Sequence, residues 1–192
     1  MGASLALDCD AELMLRVKDG DEASFGLLLE KYRASVSHFL YRMVQDQAVS
    51  EELAQEVFLR VYKSRATYEA TAKFTTWLFR IATHLALNWL RDEKNERGQE
   101  RLDQGTEDAP AREVPDRARS VEQQMVQAVR VEEVRRAVAA LPEKQRAAVL
   151  MHKYEEMEYA QIATVLSCSE SAVKSLLFRA YETLRTRLSH LA

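Results

Sequence analysis

Glycine and proline are scarce in this chain, five and three in 192 residues. A loop-rich all-β fold draws on both for its turns, so that class is excluded. Cysteine occurs only at Cys9 and Cys168, neither with a second cysteine or a histidine at metal-ligand spacing. A zinc site and a disulfide framework are excluded in turn, and both thiols are expected to be free in a reducing compartment. No apolar run approaches the ~20 residues of a membrane span. The first residues lack a basic segment followed by an apolar one. Met1-Gly2 opens as a myristoylation signal does, but Ala6 stands where Ser or Thr is required. These absences predict a soluble, cytoplasmic protein with no membrane insertion. A phosphate-binding glycine loop, a metal cluster and a nucleophile–base pair are also missing, and His38, His84, His152 and His190 are scattered. An enzyme is not expected, and no catalytic residue, cofactor or metal is assigned.

What is present is helix-forming and unevenly charged. Hydrophobic residues make up 47% of the chain, enough for a core, and the formal net charge is −3. Residues 1–59 carry a net −6, residues 60–91 a net +5, residues 92–124 a net −4 and residues 125–192 a net +2. An autonomous DNA binder has a basic excess. One short basic segment in an acidic chain instead points to weak DNA binding that depends on a larger partner.

Apolar residues recur at helical spacing. Asp10 is a candidate cap for a first helix ending near Gly20, and Asp21 for a second with Phe25, Leu28, Leu29, Tyr32, Val36, Phe39, Leu40 and Met43. Ser50 is the candidate cap of a third, with Leu53, Val57, Phe58 and Val61 as its stripe. A fourth is expected from about Thr76 to Arg91. The pattern then stops: residues 93–119 are charged, contain Pro110 and Pro115, and read as a flexible linker. Extended, such a linker reaches about 90 Å. Ser120-Val-Glu-Gln123 is a capping-box pattern opening a further helix. Pro142 suits the first turn of the next, which runs to about Tyr154. Tyr159–Leu166 and Glu170 to about His190 complete the set. The expected fold is all-α: two small helical domains, 1–92 and 120–192, joined by a flexible linker.

The segment from Tyr159 to Leu188 has the parts of a helix-turn-helix: a short helix, a tight turn and a longer second helix. Ile162, Ala163 and Leu166 supply the inner face of the first helix, and Val173, Leu177, Ala180 and Leu184 that of the second. Ser169, Ser171, Lys174, Ser175, Phe178 and Arg179 fall on the outward side, and hydroxyls and cations there reach base edges and phosphates. Ser169 also caps the second helix, leaving its N-terminus toward an anion. The plain alternative is a helical hairpin with solvated polar residues.

Seven short segments carry a resemblance to a known family. Leu141-Pro-Glu-Lys-Gln-Arg146, Tyr159-Ala-Gln-Ile-Ala163, Ser171-Ala-Val-Lys-Ser175 and Arg179-Ala180 together resemble the C-terminal domain of sigma factors of the extracytoplasmic-function type. Gly20-Asp-Glu-Ala-Ser-Phe25, Ser50-Glu-Glu-Leu-Ala-Gln-Glu-Val-Phe58 and Phe74-Thr-Thr-Trp-Leu-Phe-Arg-Ile-Ala82 resemble segments of the N-terminal one, in the right order. The resemblance implies a non-enzymatic subunit that gives RNA polymerase its promoter specificity. It implies that Glu51, Glu52, Gln55, Glu56, Phe58 and Leu59 dock on the clamp of the beta-prime subunit. It places Arg65, Tyr68, Lys73, Thr76, Arg80, His84, Asn88 and Arg91 at the minus-ten promoter element, with a flipped base held by the loop Lys63–Lys73. Ser169, Glu170, Ser171, Lys174, Ser175, Phe178 and Arg179 fall to the minus-thirty-five element. Further partners implied are the beta flap and an anti-sigma factor, the free chain being monomeric.

Several residues depart from the family pattern. Ser167 stands where Gly is frequent, so Ser167 or Cys168 is expected in a strained conformation. Glu52 replaces Asp, His84 replaces Asn, and Ala172 replaces Thr. Leu176 replaces Arg, and its spacing assigns it to core packing. Phe178 has three open roles: packing on its own domain, touching a thymine methyl, or meeting a regulatory partner. Trp77 divides between base stacking and core. Two other functions each leave a feature unexplained. A stand-alone helix-turn-helix regulator leaves the basic fourth helix unexplained, and a protein-binding adaptor leaves the recognition helix unexplained.

Overall fold

A computed structural model of the chain describes residues 8–100 and 121–191, with side chains over 8–96 and 128–191. Eight α-helices and two short 3-10 turns occur among these residues, and no strand. The helices are α1 (Cys9–Lys18), α2 (Glu22–Val44), α3 (Gln47–Lys63), α4 (Phe74–Glu100), α5 (Val121–Ala139), α6 (Glu143–Tyr154), α7 (Tyr159–Leu166) and α8 (Glu170–Arg187).

Local chemistry explains where most of them begin. Asp21 caps α2, its carboxylate accepting from the amides of Ala23 and Ser24, as expected. Ser169 caps α8 by accepting from Ala172 N at 3.2 Å. Two expected caps are corrected. The third helix starts at Gln47 with Asp46 as its cap, and Ser50 lies inside it, buried, its hydroxyl donating to Gln47 O. The carboxylate accepts from Val49 N at 2.9 Å, the bond a hydroxyl four residues later cannot make. In α1, Asp8 takes the capping position, and Asp10 turns inward to accept from Lys31 Nζ and the Tyr32 hydroxyl. The fourth helix continues past Arg91 to Glu100, into the first residues of the expected linker. Residues 101–120, and the side chains of the expected capping box, lie outside the described residues.

Helices α1 to α4 enclose Met14, Leu28, Val36, Phe39, Leu40, Met43, Val57, Leu78 and Phe79, all nearly inaccessible. Phe39 and Phe79 meet edge to face at 5.3 Å. Helices α6, α7 and α8 form a second group around Leu150, Met151, Ile162, Val165, Val173 and Leu177. The turn between α7 and α8 passes through Ser167, whose φ of 52° is left-handed. This is the strained position expected where glycine is frequent. The two groups do not stand apart in this structure. Helix α7 packs along α4, α6 packs on α2, and the buried residues of both groups form one continuous cluster.

Candidate nucleic-acid interface

The outward face of α8 is set by its inner one. Val173, Leu177 and Ala180 are buried, which leaves Ser171, Lys174, Ser175 and Phe178 exposed along one stripe, with Arg179 beside it. Glu170 lies in the first turn, exposed. Phe178 is 68% exposed. That removes one of its three open roles, because it is not among the residues packed against the core. Leu176 is half-buried against the core, as its spacing required. The Ser175 hydroxyl donates to Ser171 O at 3.0 Å, which steers it along the helix.

On α4, Leu78, Phe79, Ala82, Leu85 and Ala86 face inward. Arg80, His84, Asn88 and Arg91 are all exposed and share one side of the helix. Arg91 makes only a long 3.4 Å contact to Asp92. This stripe carries positive and amide groups with no acidic side chain among them, so it suits a polyanion. Lys73 is exposed just before the helix, and Arg65 lies over the Tyr62 ring at 4.1 Å.

Two residues assigned to the same surface are not on it. Tyr68 is 2% exposed, held between Phe74 and Trp77, with ring centroids 4.9 Å from Trp77. Burial pushes its hydroxyl up to about 12, so it stays protonated, and its oxygen has no hydrogen-bond partner in the protein. Its ring is therefore not available to stack on a base in this arrangement. Thr76 is 3% exposed, and its hydroxyl accepts from Gln161 of α7 at 3.3 Å. Trp77 is half-buried against this aromatic cluster, the core role rather than a free stacking platform.

On α3, Glu51, Glu52, Gln55 and Leu59 are exposed. Glu56 is half-buried and pairs with Arg60 at 2.6 Å. Phe58 is 7% exposed and belongs to the core, so it supports this face from beneath. Among the described residues no group of His, Cys, Asp and Glu could hold a metal ion. No helix among them is long and apolar enough to cross a membrane.

Residues 28–96 match the family described as Sigma-70 region 2, and residues 131–184 match Sigma-70, region 4. The chain is 32% identical to the RNA polymerase sigma-H factor of Pseudomonas aeruginosa, over 97% of each chain. It is 30% identical to the ECF RNA polymerase sigma-E factor of Haemophilus influenzae, over 95% of this chain and 96% of that one. The chain is an extracytoplasmic-function sigma factor of the sigma-70 family. Its family consists of transcription regulators rather than enzymes. Among solved structures, this sigma factor resembles CnrH, solved in complex with the cytosolic domain of CnrY. The TM-score is 0.69 at 17% identity, over 96% of this chain and 100% of that one. It also resembles the sigma factor RpoE of Bartonella quintana, solved with the anti-sigma factor NepR. There the TM-score is 0.65 at 20% identity, over 86% of this chain and 96% of that one.

Sequence reasoning missed the residues that join the two halves. Arg146 is the clearest. Its guanidinium donates to the carbonyls of Ala139 and Leu141 in its own half and to that of Met43 in the other. Burial lowers its pKa, with Glu143 opposing the shift. The signal was present, since an arginine closes the Leu141–Arg146 motif, but nothing local says which carbonyls it meets.

Proposed function

We propose that this sigma factor docks on the clamp of the beta-prime subunit of core RNA polymerase through Glu51, Glu52, Gln55 and Leu59 of α3. The stripe Arg80, His84, Asn88 and Arg91 on α4, with Lys73 and Arg65 beside it, reads and melts the minus-ten element. The stripe Ser171, Lys174, Ser175, Phe178 and Arg179 on α8 reads the minus-thirty-five element, with Ser169 and Glu170 at the helix start and the beta flap supporting that half. The observation that carries this reading is the pair of exposed stripes, one per half, each on a helix whose other side is buried. Two weak readers on one chain become specific when polymerase holds both against one duplex, because the second contact is then intramolecular. We further propose that the protein is a cytoplasmic monomer when free, and that an anti-sigma factor silences it. CnrH and RpoE, two of its structural neighbours, were each solved with a partner protein.

The test is transcription by purified core polymerase on fragmented host genomic DNA, with and without this protein. New 5′ ends sharing two spaced upstream elements are the expected result. Sequence-specific DNA binding that needs no polymerase, with no new start sites, would overturn it in favour of a stand-alone regulator.

A further inference from the structure

Helix α1 carries no residue of either reading stripe, yet it packs on the loop that joins α3 to α4. It meets that loop at the 3-10 turn Arg65–Thr67. The contact includes one specific bond. Lys18, in the last turn of α1, donates from Nζ to the Tyr68 carbonyl at 2.9 Å, across 50 positions of sequence.

Tyr68 is the residue from which this loop hangs. The first half of the loop is well fixed. Thr67 donates to Ser64 O from both its amide and its hydroxyl, at 3.1 and 3.0 Å. The Arg65 guanidinium donates to Tyr62 O at 2.9 Å, and the Tyr68 amide donates to Arg65 O at 3.2 Å. The Tyr68 ring is buried between Phe74 and Trp77. The second half is open, with Glu69, Thr71, Ala72 and Lys73 all exposed. One torsion connects the two. A ψ of 134° at Tyr68 turns its carbonyl toward Lys18, and the same torsion sets the direction in which residues 69–73 leave. The ring fixes where Tyr68 sits, and the ammonium fixes which way its peptide plane points. A bond from a charged donor is stronger than a neutral one, which suits a single contact with that task.

We propose that Lys18 is a positioning residue for the minus-ten element, which by holding the Tyr68 carbonyl presets the path of residues 69–73 to receive the unpaired strand. The inference rests on the minus-ten reading above. A loop shaped beforehand does not have to be ordered when the strand arrives, and the affinity lost to ordering is kept. Lys18 acts through the loop, since its ammonium is engaged by a protein carbonyl rather than left free for a phosphate.

The experiment uses holoenzyme assembled from core polymerase and the full chain, as the parent, Lys18→Met or Lys18→Arg. Methionine keeps an unbranched stem without the donor, and arginine keeps the donor. Two fluorescent probes are taken from a promoter that the genomic transcription experiment yields. One is a single strand spanning the minus-ten element, and the other is a duplex carrying the upstream element alone. In anisotropy titrations Lys18→Met should bind the single strand about fivefold more weakly, because a smaller share of its loops is competent, and the duplex as the parent does. Lys18→Arg should match the parent within about twofold on both probes. The slope of log K against log salt on the single strand should be the same for the parent and Lys18→Met. No loss on the single strand, or an equal loss on both probes, overturns the proposal, and so does Lys18→Arg as weak as Lys18→Met. A slope lower by about 0.7 makes Lys18 a direct phosphate contact and also overturns it. If no promoter emerges, or the parent binds the minus-ten strand no better than a scrambled one, the minus-ten reading itself is overturned and the role of Lys18 with it.

Discussion

Single side chains divide sharply into those that hold this protein together and those free to meet a partner. Asp10 belongs to the first kind. It is 5% exposed and accepts from the Tyr32 hydroxyl at 2.5 Å and from Lys31 Nζ at 2.6 Å. Burial and then the bond to Asp10 hold the Tyr32 phenol protonated, so it remains a donor. Asp10→Ala leaves that hydroxyl buried and unpaired, and should cost about 2 kcal/mol in urea unfolding. Lys174 belongs to the second kind, exposed in the first turns of α8 and bound to nothing acidic. Lys174→Ala should weaken promoter binding about equally across upstream-element sequences. It should also lower the slope of log K against log salt by about one, read from binding titrations at several ionic strengths. Exposure at Arg80, His84, Asn88 and Lys174 was legible beforehand, because periodicity alone assigns the two sides of a helix. Burial of Tyr68 was not. Its neighbours in sequence are loop residues, and the rings that enclose it arrive from the start of α4.

At the level of the element, caps were read from residue type, and type alone does not rank competing candidates. Asp46 and Ser50 are both good capping residues, and only the backbone path shows that Asp46 reaches a free amide. Asp46→Ala should lower stability by about 1 kcal/mol. Ser50→Ala, which removes a bond back into the same helix, should cost less than half as much, with thermal unfolding deciding between them. The turn between α7 and α8 offers the opposite sign. Ser167 holds a φ of 52° with no glycine freedom. Ser167→Gly should raise stability by about 0.5 kcal/mol, read as a higher Tm with recognition-helix function kept. The extent of α4 was underestimated, since its last turns carry charged residues with no apolar stripe to mark them.

Over the whole molecule, closure of the two halves should respond to acid. Glu155 faces Ser35 and Arg42, and its charge is also felt by Tyr32. Its pKa in the closed form lies above the ordinary 4.5, so closing takes up a proton. The closed population should therefore rise as pH falls toward the range just above 4.5 and decline as pH rises through it, and Glu155→Gln should abolish that dependence. Distance measurements across that interval check both. The all-α class, the two helical groups, the helix-turn-helix and the exposed polar stripes of α4 and α8 were determined by the sequence itself. Each follows from periodicity and capping within a few residues, which act before any long-range contact forms. The docking of α7 on α4, the burial of Tyr68 and Thr76, and the pairing of Ser35 with Glu155 were decided only by tertiary structure. Those contacts join residues 85 to 120 positions apart, or rings brought together across a loop. No local pattern specifies them, because their free energy comes from surfaces that exist only once the helices have formed.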